Sequence, residues 1–221
     1  MHGGHGAVNR LGRNMPRCGL YAISDGPRDD FMARAEAALR GGAVIVQYRD
    51  KTTDRARRAE EARALRAACA RHDARLIIND DIELTRTVRA HGVHLGETDA
   101  TPAAARAALG SDAIIGVSCY ADLSRARQLA ALDVDYLAFG AFHPSPTKPQ
   151  ARRAHPQLLR DARDLGLPLV AIGGITPDNG AALIAAGADF LAVISGVFAA
   201  PDTEAAARRY SALFTTSMPK P

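Results

Sequence analysis

The regular alternation of short apolar runs with helical stretches is the feature that most constrains this chain of 221 residues. Eight runs rich in Val, Ile and Leu recur along it, each short enough to be a strand rather than a buried helix. Between them lie stretches rich in Ala, Arg and Leu, whose apolar residues are spaced three and four positions apart. The predicted strands cover residues 19–24, 43–49, 75–79, 92–95, 113–118, 135–140, 167–173 and 190–195.

Near-continuous apolar strands separated by helices are typical of a parallel sheet that is covered on its faces. Eight such units in a chain of this length predict an α/β fold, a single (β/α)8 TIM barrel with short loops. The alternative is an open, doubly wound sheet, which usually carries a Gly-rich nucleotide fingerprint after its first strand. The sequence "ISDGPRDD" (23–30) lacks that fingerprint, which favours the barrel.

Helix-start signals and the chain ends set the predicted domain limits. Thr101 before Pro102, and Thr176 before Pro177, are typical of an N-cap followed by the first helical residue. The first residues lack the apolar segment of a signal peptide. We therefore expect a flexible leader at residues 1–16, the catalytic barrel at 17–215 and a tail at 216–221.

Composition excludes several classes of protein. Lys and Arg number 28 against 24 for Asp and Glu, and this small excess is spread along the chain without a nucleic-acid-binding motif. No apolar run approaches the roughly 18 residues that would span a bilayer. The 3 cysteines are widely separated, which predicts no disulfide framework and hence a cytoplasmic protein.

Polar residues at the end of the second predicted strand point to an anion site. Active sites of such barrels lie at the carboxyl ends of the strands. Strand alternation sends Gln47, Arg49 and Lys51 to one side and Tyr48 and Asp50 to the other. An amide and two cations that converge at a barrel mouth suit a multiply charged anion, although a surface loop with ion pairs is the alternative.

Two carboxylates follow the next two predicted strands. Asp80 and Asp99 would lie on neighbouring loops, where they can hold Mg²⁺ together with phosphate oxygens of a substrate. The Asn79–Asp80 pair is also typical of a turn or helix cap. His91 and His94 are three residues apart and would face opposite sides of a strand, so we interpret them as core or rim residues.

The remaining strand ends supply hydroxyls, a lysine and glycines. Ser118 ends the fifth predicted strand, and the loop "FGAFHPSPTKPQ" (139–150) carries Ser145, Thr147 and Lys148 after the sixth. This loop is either a phosphate-binding segment or an ordinary polar turn. The last two predicted strands end in "IGGIT" (172–176) and "ISGV" (194–197), whose backbone N–H groups suit the usual phosphate site of a barrel.

Seven motifs, taken in order, resemble the thiamine-phosphate synthase family over almost the whole chain apart from the leader and tail. They are "QYRDK", "IINDD", "GVHLGETD", "IIGVS", "PSPTKP", "AIGGI" and "VISG". The resemblance implies a Mg²⁺-dependent transferase of thiamine biosynthesis. Its substrates would be 4-amino-2-methyl-5-pyrimidinylmethyl diphosphate and a thiazole phosphate, and its products thiamine phosphate and pyrophosphate. It implies no nucleic-acid or membrane partner, and the sequence leaves the oligomeric state open, a homo-oligomer included.

The resemblance also assigns roles to individual residues. The residues that would hold the pyrimidine diphosphate are Gln47, Tyr48, Arg49, Asp50, Lys51, Asn79, Ser118 and Lys148. Those that would hold the thiazole phosphate are Ser145, Pro146, Thr147, Gly174, Ile194 and Ser195. Asp80 and Asp99 would bind Mg²⁺, and Arg49, Lys51 and Lys148 would be catalytic, neutralising charge as pyrophosphate departs in a dissociative substitution.

Three other functions fit parts of this pattern. A thiazole tautomerase shares the barrel but has no use for a diphosphate site. A generic phosphate-binding isomerase or aldolase barrel does not explain "QYRDK" beside two rim aspartates. A non-catalytic thiamine-phosphate-binding protein would not need the full set of cations and carboxylates, whose presence favours the synthase.

Overall fold

A computed structural model describes residues 15–144 and 153–216 of the chain. Residues 1–14, 145–152 and 217–221 lie outside the described part. Most of the predicted leader and tail therefore falls outside it, as do four predicted site residues, Ser145, Pro146, Thr147 and Lys148.

The described residues contain eight parallel strands that close into a barrel. Each strand pairs with its neighbours in chain order, and the first strand also pairs with the last through the register Leu20–Leu191 and Tyr21–Ala192. The strands are β1 (Gly19–Ile23), β2 (Ala43–Tyr48), β3 (Arg75–Asn79), β4 (Gly92–Leu95), β5 (Ile114–Tyr120), β6 (Tyr136–Phe139), β7 (Leu169–Ile172) and β8 (Phe190–Val193).

Helices follow the strands and surround the barrel. They are α1 (Phe31–Arg40), α2 (Arg55–Arg71), α3 (Ile82–Val88), α4 (Pro102–Leu109), α5 (Leu123–Ala130), α6 (Gln157–Ala162), α7 (Pro177–Ala186), α8 (Ser195–Phe198) and α9 (Thr203–Thr216). A short 3₁₀ turn, Arg163–Leu165, extends α6. None of the described helices combines the length and the hydrophobicity that crossing a bilayer requires.

The predicted (β/α)8 barrel is confirmed, because hydrogen bonding between β1 and β8 excludes an open sheet. All eight predicted strands exist, and most of their limits differ by one or two residues. Among the eight, β5 is the strand that continues past its predicted end, to Tyr120, and its pairing with β6 shifts register between Ser118 and Tyr120. Such a bulge lets a strand continue at a barrel rim while turning its last side chain outward.

Local capping fixes where two of the helices begin. The Thr101 side chain accepts a hydrogen bond from the Ala104 N–H, and Pro102 is the first residue of α4. At α7, Thr176 and Asn179 form a reciprocal capping box. Both N-caps were predicted from the sequence, and both satisfy N–H groups that the first turn of a helix leaves without partners.

Alternating strand residues divide the apolar core into two layers. The outer layer lies between the sheet and the helices, and includes Leu20, Val46, Leu76, Ile115, Leu137 and Leu191. The inner layer fills the barrel and includes Tyr21, Ile45, Ile77, Ile114, Tyr136, Val170 and Phe190. Since the inner layer is packed, the barrel is not a channel, and we expect a ligand to bind above it at the carboxyl ends of the strands.

Gly116 in β5 makes room for the ring of Tyr136 in the inner layer. A Cβ atom at position 116 would lie 1.8 Å from Tyr136 Cζ and 2.3 Å from Tyr136 Oη. The ring has little room to withdraw, since Tyr136 is 0% exposed. A glycine here is therefore a packing requirement of the barrel interior.

We predict that Gly116→Ala destabilises the fold by about 1–3 kcal/mol, the usual range for forcing an extra methyl group into a packed core. Urea denaturation would measure the loss. The matched control is the same change in a Tyr136→Val background, where the ring is gone and the cost of the added methyl group should largely disappear. An equal cost in both backgrounds would contradict the packing explanation.

Candidate active site

A cavity of about 350 Å³ opens at the carboxyl ends of the strands. The sequence-predicted site residues that line it are Gln47, Arg49, Lys51, Asn79, Asp80, Asp99, Ser118 and Ile194. Other lining residues, which the sequence analysis did not assign to the site, include Tyr21, His94 and Tyr120. The structure thus brings most of the described candidate residues to one place.

The end of β2 divides its residues between the cavity and the helix layer, as strand alternation predicts. Tyr48 donates a hydrogen bond to Glu61 at 2.7 Å, and Asp50 accepts one from Arg57 at 2.6 Å. Glu61 and Arg57 both belong to α2, so these two side chains are turned away from the cavity. The implied role of Tyr48 and Asp50 in holding a diphosphate therefore finds no support from the positions of their side chains.

Ser24, at the end of β1, holds the backbone of Arg49. Its hydroxyl accepts a hydrogen bond from the Arg49 N–H at 2.7 Å and donates one to the Arg49 carbonyl at 3.1 Å. Ser24 is 1% exposed. This two-point attachment fixes the base of the arginine side chain at the cavity, a role that the sequence analysis missed because a serine at a strand end is an ordinary turn residue.

Asp80 and Asp99 lie side by side at the cavity, as predicted from their neighbouring strands. Asp80 adopts a left-handed backbone conformation with φ of 64°, and its side chain contacts Lys51 and accepts a hydrogen bond from Asn79 at 2.7 Å. Asp99 accepts a hydrogen bond from the Gly96 N–H at 2.6 Å. A non-glycine residue in this conformation is uncommon and is found often at functional sites.

The two carboxylates titrate as a pair. Burial, together with the neighbouring Asp99, raises the pKa of Asp80. Burial opposes the ionisation of Asp99 too, but a hydrogen bond from Asp80, the Gly96 N–H and the charge of Lys51 outweigh it and lower the pKa of Asp99. Two adjacent carboxylates ionise together more readily when a cation lies between or beside them.

The donor set fits Mg²⁺ that arrives with a phosphate ligand. Among residues 15–144 and 153–216, no group of three or more His, Cys, Asp or Glu side chains is arranged to hold a metal ion. Mg²⁺ commonly uses only one or two protein carboxylates and completes its coordination with water and substrate phosphates. Asp80 and Asp99 match that requirement.

A chain of polar side chains crosses the barrel at the floor of the cavity. Gln47 Nε2 donates to Tyr21 Oη at 2.7 Å, and the two hydroxyls of Tyr21 and Tyr136 are 2.8 Å apart. His94 Nδ1 lies 2.9 Å from Tyr136 Oη, and His94 Nε2 lies 2.9 Å from Ser118 Oγ. The sequence interpretation of His94 as a core or rim residue overlooked this contact with Ser118. A tyrosine facing inward in each of two apolar strands was the available signal, because a buried tyrosine hydroxyl usually needs a partner.

The loop after β6 joins the cavity wall at the end of β7. The backbone N–H groups of Phe142 and His143 donate to the carbonyls of Ile172 and Gly173, at 3.2 and 3.0 Å. Gly174 has φ of 59°, and a Cβ there would lie 2.2 Å from the Pro144 carbonyl oxygen. The described residues show Gly174 packed against the backbone that leads to residue 145, so it positions this loop.

The first residues of α8 follow the end of β8, where the sequence analysis placed the segment "ISGV" (194–197). Ile194 is the N-cap and lines the cavity, and Ser195 is the first residue of the helix. Both are on the same face of the barrel as Gly173. The first N–H groups of a helix have no carbonyl partner within that helix, which leaves them available to an anion.

Tyr120 stands at the rim beyond the β5 bulge. It is 40% exposed and has φ of 55°, and its hydroxyl accepts a hydrogen bond from the Glu97 N–H at 3.3 Å. The guanidinium of Arg125 lies 5.7 Å from the ring centroid, and Arg125 also donates to the Ser118 carbonyl at 2.9 Å. No pattern in the sequence indicates this residue, because the bulge that turns it outward depends on pairing between strands.

Comparison with known proteins agrees with this geometry. Residues 20–197 match the family model described as thiamine monophosphate synthase. The thiamine-phosphate synthase of Thioalkalivibrio sulfidiphilus is 58% identical over 200 residues, covering 89% of this chain and 95% of the relative. The chain belongs to the thiamine-phosphate synthase family. The enzyme of that name from Acidithiobacillus ferrooxidans is 56% identical over 203 residues, covering 89% of this chain and 94% of the relative.

The fold of this chain also resembles that of solved structures. The thiamine phosphate pyrophosphorylase of Pyrococcus furiosus has a TM-score of 0.83 and 30% identity, covering 92% of this chain and 98% of that chain. KGPDC from Streptococcus mutans, at 13% identity, has a TM-score of 0.71 and covers 91% of this chain and 99% of that chain. The second likeness shows the fold alone.

We predict that His94 makes stability pH-dependent. Burial lowers the pKa of His94 to about 4, against roughly 6.5 in an unfolded chain. Between these values the unfolded chain binds more protons, so the contribution is complete above about pH 6.5 and is lost as the pH falls towards 4. His94→Gln should reduce the slope by up to about 1.4 kcal/mol per pH unit.

Urea denaturation at several pH values from 7 to 4 would measure that slope. The control is His72→Gln, because His72 is exposed at the end of α2 and is not part of the polar chain. Equal slopes for the wild-type protein and the His94 variant would show that His94 is not held neutral by burial.

Proposed function

We propose that the chain joins 4-amino-2-methyl-5-pyrimidinylmethyl diphosphate to a thiazole phosphate, forming thiamine phosphate and releasing pyrophosphate. Family membership supports the overall activity, that of a transferase in thiamine biosynthesis. The assignment of the site rests on one observation, that Arg49, Lys51, Asp80 and Asp99 all line the same cavity. The two cations suit a diphosphate, and the carboxylates suit the cation that accompanies it.

Asp80 and Asp99 would hold Mg²⁺ in this proposal. When bound, the ion would offset negative charge on the diphosphate, which is the common role of Mg²⁺ beside phosphate groups. Lys51 contacts Asp80 in the structure and so already lies where the metal and the diphosphate would meet. Its contact with the carboxylate is compatible with a shift to phosphate oxygens once a divalent cation neutralises Asp80.

The chemistry that we propose is a dissociative substitution. The bond between the pyrimidine methylene carbon and the diphosphate oxygen breaks, and its electron pair leaves with pyrophosphate. Arg49, Lys51 and the sequence-assigned Lys148 stabilise the charge on the leaving group, which is electrostatic catalysis by preorganised cations. The amino-substituted ring stabilises the methylene cation, and the thiazole nitrogen then attacks it. Holding both substrates in one cavity makes this second step effectively intramolecular.

The thiazole phosphate would bind at the ends of β7 and β8. Ile194 and Ser195 supply the start of a helix there, and Gly174 holds the loop that leads to Ser145, Pro146 and Thr147. Those last three residues lie outside the described part of the chain, so their role rests on the sequence resemblance. A cytoplasmic location likewise remains a prediction from the cysteine pattern.

A tautomerase is the nearest alternative activity. Such an enzyme has no diphosphate to bind, whereas this cavity contains two cations and two adjacent carboxylates. A non-catalytic thiamine-phosphate-binding protein is a further alternative. The experiment that separates them measures pyrophosphate release with both substrates and Mg²⁺, and then with the thiazole phosphate withheld. Release that depends on the thiazole phosphate supports the synthase, and tight product binding without turnover supports the binding protein.

We predict that Asp80→Asn and Asp99→Asn each lower kcat/KM by about 10²- to 10³-fold, the range found on removing one electrostatic contributor to catalysis. The matched control is Glu97→Gln, which neutralises an exposed carboxylate at the same rim that pairs with Arg125 at 3.6 Å. Pyrophosphate release should be measured as a function of Mg²⁺ concentration, with circular dichroism as a check on folding. Wild-type rates at limiting Mg²⁺ in either aspartate variant would remove that residue from the metal site.

We predict that substitutions of the neighbouring residues Thr147 and Lys148 have different kinetic effects. Lys148→Ala should lower kcat by about 10²- to 10³-fold, because its charge matters more as pyrophosphate departs than in the ground state. Thr147→Ala should chiefly weaken the binding of the thiazole phosphate, by about 0.5–3 kcal/mol for one lost hydrogen bond, and so raise its KM. Single-turnover rates at saturating substrates distinguish the two effects. If this segment is an ordinary polar turn, both variants will retain wild-type kinetics.

A further inference from the structure

The hydrogen-bond chain at the floor of the cavity links two residues that the proposed function assigns to the same substrate. It runs from Gln47 on β2, through Tyr21, Tyr136 and His94, to Ser118 on β5. Its four donor–acceptor distances are 2.7, 2.8, 2.9 and 2.9 Å. Gln47 and Ser118 both line the cavity, as do Tyr21 and His94, so each end of the chain is available to a ligand.

The interior members of the chain are held rigidly. Tyr21 and Tyr136 are 1% and 0% exposed, and their rings meet edge to face with centroids 6.0 Å apart. The rings of His94 and Tyr136 are stacked, with centroids 5.6 Å apart and 18° between the ring planes. Gly116 supplies the space that the Tyr136 ring occupies. Both tyrosine rings are therefore enclosed, and the polarity of the chain changes by moving protons or rotating its two ends rather than by swinging a tyrosine ring aside.

Counting protons limits how the chain can be arranged. A tyrosine hydroxyl carries one proton, and His94, whose two ring nitrogens each lie 2.9 Å from a hydroxyl oxygen, carries one proton as a neutral imidazole. A neutral imidazole donates through one nitrogen and accepts through the other. Four hydrogen bonds need four protons, and the three interior groups supply three. One end of the chain must therefore donate inward, and the other end must accept.

This requirement makes the two ends complementary towards a ligand. If the Gln47 amide donates inward, His94 Nε2–H donates to Ser118, and the Ser118 proton is free to point into the cavity. Gln47 then keeps its carbonyl oxygen for the ligand. If Ser118 donates inward instead, the Gln47 oxygen is used within the chain and only its N–H groups face the ligand.

We propose that Tyr21, Tyr136 and His94 are positioning residues that make the site select an amino-substituted pyrimidine over an oxo-substituted one. The inference rests on the proposed function. With the exocyclic amine at Gln47, the polar groups of the substrate that remain for Ser118 are acceptors, namely diphosphate oxygens and ring nitrogens, so Ser118 donates outward. The chain then runs from Gln47 to Ser118, and the Gln47 oxygen accepts from the exocyclic amine. An oxo group at that position would face this oxygen, placing two acceptors together without a proton between them.

The kinetic test compares the 4-amino pyrimidine diphosphate with its 4-oxo analogue, each with saturating thiazole phosphate. The wild-type protein should prefer the amino compound by roughly 100-fold in kcat/KM, as expected when a polar pair is mismatched in a buried site. Tyr136→Phe keeps the ring but breaks the chain, so the Gln47 amide can rotate and the preference should fall about tenfold. If this variant loses activity equally with both compounds and keeps the wild-type preference, Tyr136 has only a structural role and the proposal is wrong.

The matched control is Thr203→Val. Thr203 is also buried, and its hydroxyl accepts a hydrogen bond from Arg34 at 3.1 Å in the helix layer, away from the chain. This variant loses a buried hydroxyl without touching Gln47 or Ser118. Its preference for the amino compound should equal that of the wild-type protein, and a fall matching that of the Tyr136 variant would show that any loss of stability relaxes the selection.

A second measurement does not depend on turnover. Nitrogen-15 NMR at pH 7, with the His94 signal identified by its loss in His94→Gln, reports which ring nitrogen carries the proton. With Mg²⁺ and inorganic pyrophosphate bound, His94 should be neutral and protonated at Nε2. Protonation at Nδ1 would mean that the chain runs the other way and would overturn the proposal. Lack of turnover with either pyrimidine would count against the proposed function, while this spectrum would still test the direction of the hydrogen-bond chain.

Discussion

Closure of the barrel by pairing β1 with β8 is the constraint on which the site depends. Because every strand is then held between two others, its alternating side chains have only two destinations, the interior and the helix layer. Gln47 and Tyr48 show the consequence at adjacent positions. One side chain reaches the cavity, and the other bonds to Glu61 on α2. A shift of one residue in the register of β2 would exchange them and remove the amide from the site.

The same closure concentrates charge at one end of the molecule. The inner apolar layer excludes ligands from the rest of the barrel, so polar groups that face inward must either lie at the mouth or find partners below it. Both solutions occur. Arg49, Lys51 and Asp80 lie at the mouth, where substrate or cations can compensate their charge, whereas the hydroxyls of Tyr21 and Tyr136 satisfy each other at the cavity floor. The polar chain is therefore what allows hydroxyl groups to be buried directly under a highly charged cavity.

Most of the fold could be read from the sequence, because its physical causes are local or periodic. The eight strands follow from short apolar runs, and the starts of α4 and α7 follow from the Thr–Pro pairs. The charged half of the site could be predicted for a related reason, since parallel strands bring their carboxyl ends together. What could not be predicted depends on contacts between strands. The Ser24 attachment, the outward turn of Tyr120 and the partners of His94 are set by which strands are neighbours and by their register.

The two halves of the site discriminate by different physical means. Cations and carboxylates act through charge, which is strong but has little directional preference, and this suits a diphosphate that leaves during the reaction. The chain from Gln47 to Ser118 carries no net charge and acts through the direction of its protons, which suits a ring that must be told apart from a close analogue. Ser118 lies at the end of the neutral chain and lines the same cavity as the charged residues. An acceptor bound to Ser118 therefore fixes the direction of the hydrogen bonds along the chain, and with it whether Gln47 on β2 offers its oxygen or its N–H groups to the ligand. In the proposed function, recognition of the leaving group and recognition of the ring would in this way be joined through a single line of hydrogen bonds.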